Sequence, residues 1–360
     1  MKLRVGDLVE VRSKDEILNT LDKKGELDRL PFMPEMFQFC GKRFRVYKRA
    51  HKTCDTVFPV RGRRMAHGVH LETRCDGEAH GECKATCLIF WKEAWLLPVN
   101  GNSASHASDN PESEFRLDRP QNADGCTEQD VWSGTRVSEN GDDADPTYIC
   151  QATQLPFATT DLDWWDVRQY IEDYTSGNVG LWRMACGFIY MGYLRLINLG
   201  IGLGAPLRWL YDVFQNLSGG VPYPRRDGII PAGERTPTVD LGLQPGEWVR
   251  VKSYKDILAT CDHNLMNRGM WFDAELVPYC GKTYRVLKCV TKIINERTGK
   301  IQDIKNPAVI LDSVFCQARY SECRLFCPRS LYSFWREIWL ERANEPSCNH
   351  TTAMTKGPIS

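Results

Sequence analysis

At 360 residues, with 46 basic side chains balancing 46 acidic ones, the chain is long enough for two or three domains and carries no net charge. That balance excludes a protein built on long-range attraction to nucleic acid or to an anionic membrane, leaving only local patches to consider. Fifteen cysteines, an odd number, argue against a disulfide framework, and Met1-Lys-Leu-Arg-Val-Gly-Asp-Leu-Val-Glu-Val alternates like a strand instead of opening a secretory signal. The expectation is a cytoplasmic protein whose clustered cysteines are metal ligands or reactive thiols.

Residues 6 to 48 align without a gap onto 246 to 288 at an offset of 240, with Gly6, Val9, Val11, Ser13, Glu35, Cys40, Gly41, Arg45 and Val46 among the identities. Two copies of one module therefore bracket the chain, at 1–99 and 244–345. In each, Gly-Asp-Leu-Val-Glu-Val-Arg or Gly-Glu-Trp-Val-Arg-Val-Lys predicts a half-buried strand. Ser13 with Glu16, and Ser253 with Asp256, put a hydroxyl and a carboxylate three residues apart, which predicts a capped short helix. A proline-bearing loop, Pro31-Phe-Met-Pro34, leads to a second strand entered through Cys40-Gly41.

After that strand come the cysteines. Cys75, Cys83 and Cys87 recur as Cys316, Cys323 and Cys327, with spacings C-x7-C-x3-C and C-x6-C-x3-C, each before an aromatic segment, Phe90-Trp-Lys-Glu-Ala-Trp-Leu or Phe334-Trp-Arg-Glu-Ile-Trp-Leu. The order of a GDxVxV strand, a proline loop, a CGK-x-x-RV strand and a closing FWKEAWLLPV resembles the SH3-like barrel of the nitrile hydratase beta subunit. What the resemblance implies is fold. In that family the metal and its cysteine claw lie on the other subunit, and no Cys-x-x-Cys-Ser-Cys occurs here, so no activity is carried over.

Between the modules, 100–148 is rich in Ser, Asn, Asp and Gly and predicts a flexible linker. Residues 149–218 reverse that character. Asp161 to Tyr174 predicts a capped helix with Trp164, Val167, Tyr170, Ile171 and Tyr174 on one side. Leu181 to Gly204 is apolar almost all round, and Pro206 onward predicts a further helix. The length of 184–206 would permit a membrane span, but Arg195 at its centre costs about 2.5 to 3.5 kcal/mol and five glycines weaken the helix. The segment is expected to be buried between the two barrels, with contact to another protein through 178–216 or association with a membrane surface as alternatives. A second linker at 219–243 and an unstructured tail at 346–360 complete the chain.

The fold class predicted is mainly β with a helical insert: two tandem SH3-like barrels with Cys-rich metal-binding insertions. Three sulfurs in each module need a fourth ligand. Cys54 is the candidate in the first, backed by His51, His70 and His80, and Cys289 is the candidate in the second. Cys40 and Cys280 match each other but read as small buried side chains beside a strand start. Thiolates are soft ligands, so zinc is expected, with an iron–sulfur cluster as the alternative. The functional expectation is a metal-binding scaffold or accessory protein. The alternative is a metal- or thiol-dependent enzyme in which His51 and Cys54 act beside Cys75, Cys83 and Cys87. Basic residues around Lys42 to Arg49, with Arg61, Arg63 and Arg64, read as a solvated strand face, not as a nucleic-acid site.

Overall fold

A computed structural model describes residues 2–57, 61–99, 125–137 and 145–345. The expected tail and the greater part of the first linker lie outside the described residues. The first module runs β1 (Leu8–Val11), α1 (Lys14–Leu18), β2 (Glu26–Leu27), β3 (Leu30–Pro31), β4 (Arg43–Arg49), β5 (Lys52–Cys54), β6 (Gly62–Arg64), β7 (Gly68–Arg74), β8 (Leu88–Lys92) and β9 (Leu96–Pro98). Alternation puts Val9 and Val11 of β1 inward, and the predicted capping box forms between Ser13 and Glu16. Five strands make an antiparallel sheet in the order β8-β7-β4-β1-β9. A 3-10 turn at Glu93–Trp95 carries the chain from one edge strand to the other, which curls the sheet into a half-barrel. Trp91 and Trp95 fill it, with Phe32 edge-on to Trp95 at 5.2 Å and the Trp95 indole donating to Thr20.

The middle of the chain contributes α2 (Glu128–Ser133), β10 (Arg136–Val137), β11 (Thr147–Tyr148), α3 (Gln151–Ala158), β12 (Thr160–Leu162), α4 (Arg168–Thr175), α5 (Leu181–Ile197) and α6 (Gly204–Ser218). The second module repeats the first through β13 (Trp248–Val251), α7 (Tyr254–Leu258), β14 (Met266–Asn267), β15 (Met270–Trp271), β16 (Thr283–Cys289), β17 (Lys292–Ile294), β18 (Ile301–Asp303), β19 (Ala308–Phe315), β20 (Tyr332–Arg336) and β21 (Leu340–Arg342). Its sheet has the matching order β20-β19-β16-β13-β21. The core repeats too, with Phe272 at 5.2 Å from Trp339 and the Trp339 indole donating to Thr260. Gly41 and Gly281 both take left-handed backbone angles at the bend into β4 and β16, a conformation that glycine adopts without a side-chain clash.

The modules hold each other by the same hairpin. The β5–β6 hairpin of module 1 reaches the cysteine loop of module 2, where buried Lys52 donates to Leu325 O at 2.8 Å. Gly62, opposite Cys54 in that hairpin, leaves no room for a side chain, since a Cβ there would stand 3.2 Å from Cys323 O. In return, the β17–β18 hairpin of module 2 reaches the cysteine loop of module 1, accepting from Lys84 N through Lys292 O at 2.9 Å and pairing Lys292 with Glu82 at 3.0 Å.

Three expectations are corrected. The part of the linker at 125–137 is folded: a capping box between Thr127 and Asp130 starts α2, and Val131 is buried in the core of module 1. The helix predicted from Asp161 begins later, at Arg168, and the face it buries is polar. Gln169 and Asp173 are buried while Val167 and Ile171 are exposed, because Asp173 meets the buried Lys52 ammonium at 2.6 Å and an apolar face would leave that charge unpaired. The apolar helices are not enclosed between the half-barrels. α5 buries Leu194 and Ile197 and touches the module 2 loop through Phe188 and Phe326, but α6 buries nothing, and Trp182 and Leu217 are 82% and 84% exposed. No helix among the described residues is long and apolar enough to cross a membrane.

Candidate metal centre

Every cysteine among the described residues is a free thiol. Cys75 leaves the end of β7, and its N–H donates to Cys87 O at 2.9 Å, so the loop between them closes on itself. Cys83 sits in that loop, where the Ile294 N–H from the partner module's hairpin donates to its sulfur at 3.4 Å. The three cysteines line one cavity of about 50 Å³, and the fourth cysteine on that cavity is Cys150, at the start of α3. Spacing does not reveal Cys150, because it arrives from the far side of the linker. Burial pushes the Cys75 and Cys87 thiols well up and the Cys150 thiol to about 11.

Beside this cavity Glu35, from the 3-10 turn Pro34–Phe39, gathers the loop. Its Oε1 accepts from His80 Nδ1 at 2.6 Å, from Ala79 N at 3.2 Å and from the Cys75 thiol at 3.8 Å. His80 Nε2 lies 3.0 Å from Ile149 O, so the ring ties Glu35 to the residue before Cys150. Glu35, Cys75 and His80 form the one group among the described residues whose ligand atoms all lie within 4.8 Å of one another. Glu275 plays the same part in module 2, accepting from Tyr320 N at 2.5 Å. Both acids stand at identical positions of the repeat, a signal present in the sequence that the cysteine spacing overshadows.

Cys54 joins the other module. It packs with Cys316 and Cys327, and its sulfur shares a hydrogen bond with Cys327. That bond lowers the pKa of Cys54, helped by the Arg329 guanidinium 3.9 Å away, while the same bond and burial raise that of Cys327. Cys323 is half-exposed and does not line the cleft that Cys54, Cys316 and Cys327 share. Cys289 lies apart, donating to Leu243 O at 3.2 Å on the core of module 2. Cys40 and Cys280 pack against the two cores.

The histidines are engaged elsewhere. His51 faces α4, with Nε2 3.2 Å from Gln169 O and 3.2 Å from Asp173, and it makes no hydrogen bond to Cys54. His70 donates from Nδ1 to Ile89 O at 2.9 Å, and burial lowers its pKa to about 3.

Arg329 stands between the two cysteine clusters, lining both cavities. It is 2% exposed and donates to Thr56 at 3.3 Å and to Glu296 at 3.0 Å. The two cavities differ in size: the module 1 cavity holds about 50 Å³, whereas Cys54, Cys316 and Cys327 border a cleft of about 770 Å³. No protein-family model matches the chain, and no curated protein matches it.

Proposed function

We propose that the chain is a metal-binding scaffold in which two SH3-like modules carry cysteine-rich loops, and that zinc is held by Cys75, Cys83, Cys87 and Cys150. The observation that carries this reading is the convergence of four cysteines, from two distant parts of the chain, on one small cavity. Four sulfurs would suit tetrahedral zinc once the ion draws them in, since no three of them lie within 4.8 Å of one another without it. An N–H directed at Cys83 stabilises a thiolate, and Glu35 with His80, which together with Cys75 form the closest donor group among the described residues, would orient Cys75 and the Cys150 turn. In module 2 the donors are Cys54, Cys316 and Cys327, with Cys323 adjacent in sequence.

Such an ion would supply folding free energy, because the ligands meet only in the folded chain. Free thiols among the described residues fit a reducing compartment such as the cytoplasm. An accessory role needs a partner surface, and the exposed apolar side of α5 and α6 offers one. The enzyme reading through His51 and Cys54 has no such support, since these side chains face different neighbours.

The test is anaerobic purification with elemental analysis and thiol titration. Colourless protein with one to two zinc ions per chain, losing one on Cys150→Ser, supports the reading. Brown protein with iron and sulfide overturns zinc, and metal-free protein with fully titrating thiols overturns metal binding.

A further inference from the structure

We propose that the cleft of module 2 is a docking groove for a short amphipathic helix of a partner protein, one that opens with Gln or Asn and carries leucine four residues later. Module 1 shows the occupant that such a groove takes. There the groove is walled by β3, the 3-10 turn Pro34–Phe39 and the edge strand β8, and α3 fills it. Gln151 Oε1 accepts the Phe90 N–H at 2.8 Å, and Gln151 Nε2 donates to Phe90 O at 2.9 Å and to Pro31 O at 3.1 Å. Leu155, one turn on, enters the core. Only the pocket of about 50 Å³ beside the cysteines is left open.

Module 2 has every wall and, among the described residues, no occupant. β15 repeats β3, the turn Ala274–Tyr279 repeats Pro34–Phe39, and β20 is the edge strand corresponding to β8. Phe334 pairs with Ile310 as Phe90 pairs with His70, so its backbone occupies the position that Gln151 reads in module 1. Between these walls lies the cleft of about 770 Å³, with Met270, Leu276 and Phe334 on its apolar side. Arg268 Nε on its lining has no hydrogen-bond partner. An uncovered edge strand beside an apolar groove is the arrangement that peptide-recognition sites use. The proposal holds whether or not the cysteines take metal.

The experiment titrates the full chain against a fluorescein-labelled peptide of residues 148–159 bearing Cys150→Ser, followed by anisotropy. Saturable binding at one site is expected, weakened about tenfold or more when the peptide carries Gln151→Leu, which removes the amide that reads the strand edge. Met270→Trp in the protein, which fills the groove, is expected to abolish it. Absence of saturable binding up to about 1 mM, equal affinity for the Gln151→Leu peptide, or unchanged binding to Met270→Trp would each overturn the proposal. The peptide variant leaves the protein untouched, so the outcome does not depend on how well the tryptophan variant folds.

Discussion

Thr56 donates a hydrogen bond to Glu296, and the two residues are the same position of the repeat, 240 residues apart. The contact therefore lies where the two hairpins cross, on the approximate two-fold relation between the modules. Arg329 binds both partners of that contact and the Cys54 sulfur, so one guanidinium joins the hairpin of module 1, the hairpin of module 2 and a cysteine cluster.

Removing that guanidinium leaves the Glu296 carboxylate without its cation in a largely dry setting. Arg329→Met is expected to destabilise the chain by about 3 to 5 kcal/mol, and Arg329→Met with Glu296→Leu by less than Arg329→Met alone. Urea unfolding of both variants checks this. Equal losses in the two would show that the pair is not coupled.

Zinc bound only by the folded state raises stability by mass action. At free zinc about 1,000 times its dissociation constant the gain is about 4 kcal/mol. Unfolding midpoints should therefore rise with added zinc, fall with a chelator, and lose part of that response in Cys87→Ser, whereas Cys289→Ser should respond like the original chain.

His70 supplies a pH dependence whose sign follows from its burial. Its pKa is about 3 in the folded chain, below the ordinary value of 6.5, so the unfolded chain takes up the proton first. The contribution to stability is complete above about pH 6.5 and is lost as the pH falls toward 3. His70→Asn, which keeps a donor for Ile89 O, should unfold less steeply with acid across that window. A parallel acid titration of the two proteins by circular dichroism decides it.

Tryptophans of the half-barrels and of the helices should respond in opposite ways. Trp339→Ala removes a fully buried ring and is expected to cost about 3 to 5 kcal/mol. Trp182→Ala removes one that is 82% exposed and should change stability by no more than about 0.5 kcal/mol. Denaturant midpoints separate them.

The half-barrels were legible because their signals are local and doubled. Ser13 with Glu16 and Ser253 with Asp256 announce the helices, and the Trp pairs announce the closing strands. The cysteine clusters were only half legible, since Cys75, Cys83 and Cys87 of one and Cys316 and Cys327 of the other follow a spacing, but each gains a further cysteine from a distant segment: Cys150 to one, Cys54 to the other. Cys54 aligns with Ile294, and the hairpin exchange explains that mismatch. At the module 1 site Ile294 offers a backbone N–H to Cys83, and Cys150 provides the sulfur that Ile294 lacks. The polar face that α4 buries was hidden for a related reason, because the charge that Asp173 answers, Lys52, lies 121 residues away.

Two halves that grip each other by the same hairpin have the geometry of an isologous dimer. Carried in one chain, that dimer has a fixed one-to-one stoichiometry and an effective concentration that dilution cannot lower. It also gains a freedom that identical subunits lack. A symmetric pair must keep cysteine or isoleucine on both hairpins at once, whereas a fused pair can place Cys54 on one and Ile294 on the other, leaving one groove filled from within the chain and the other open.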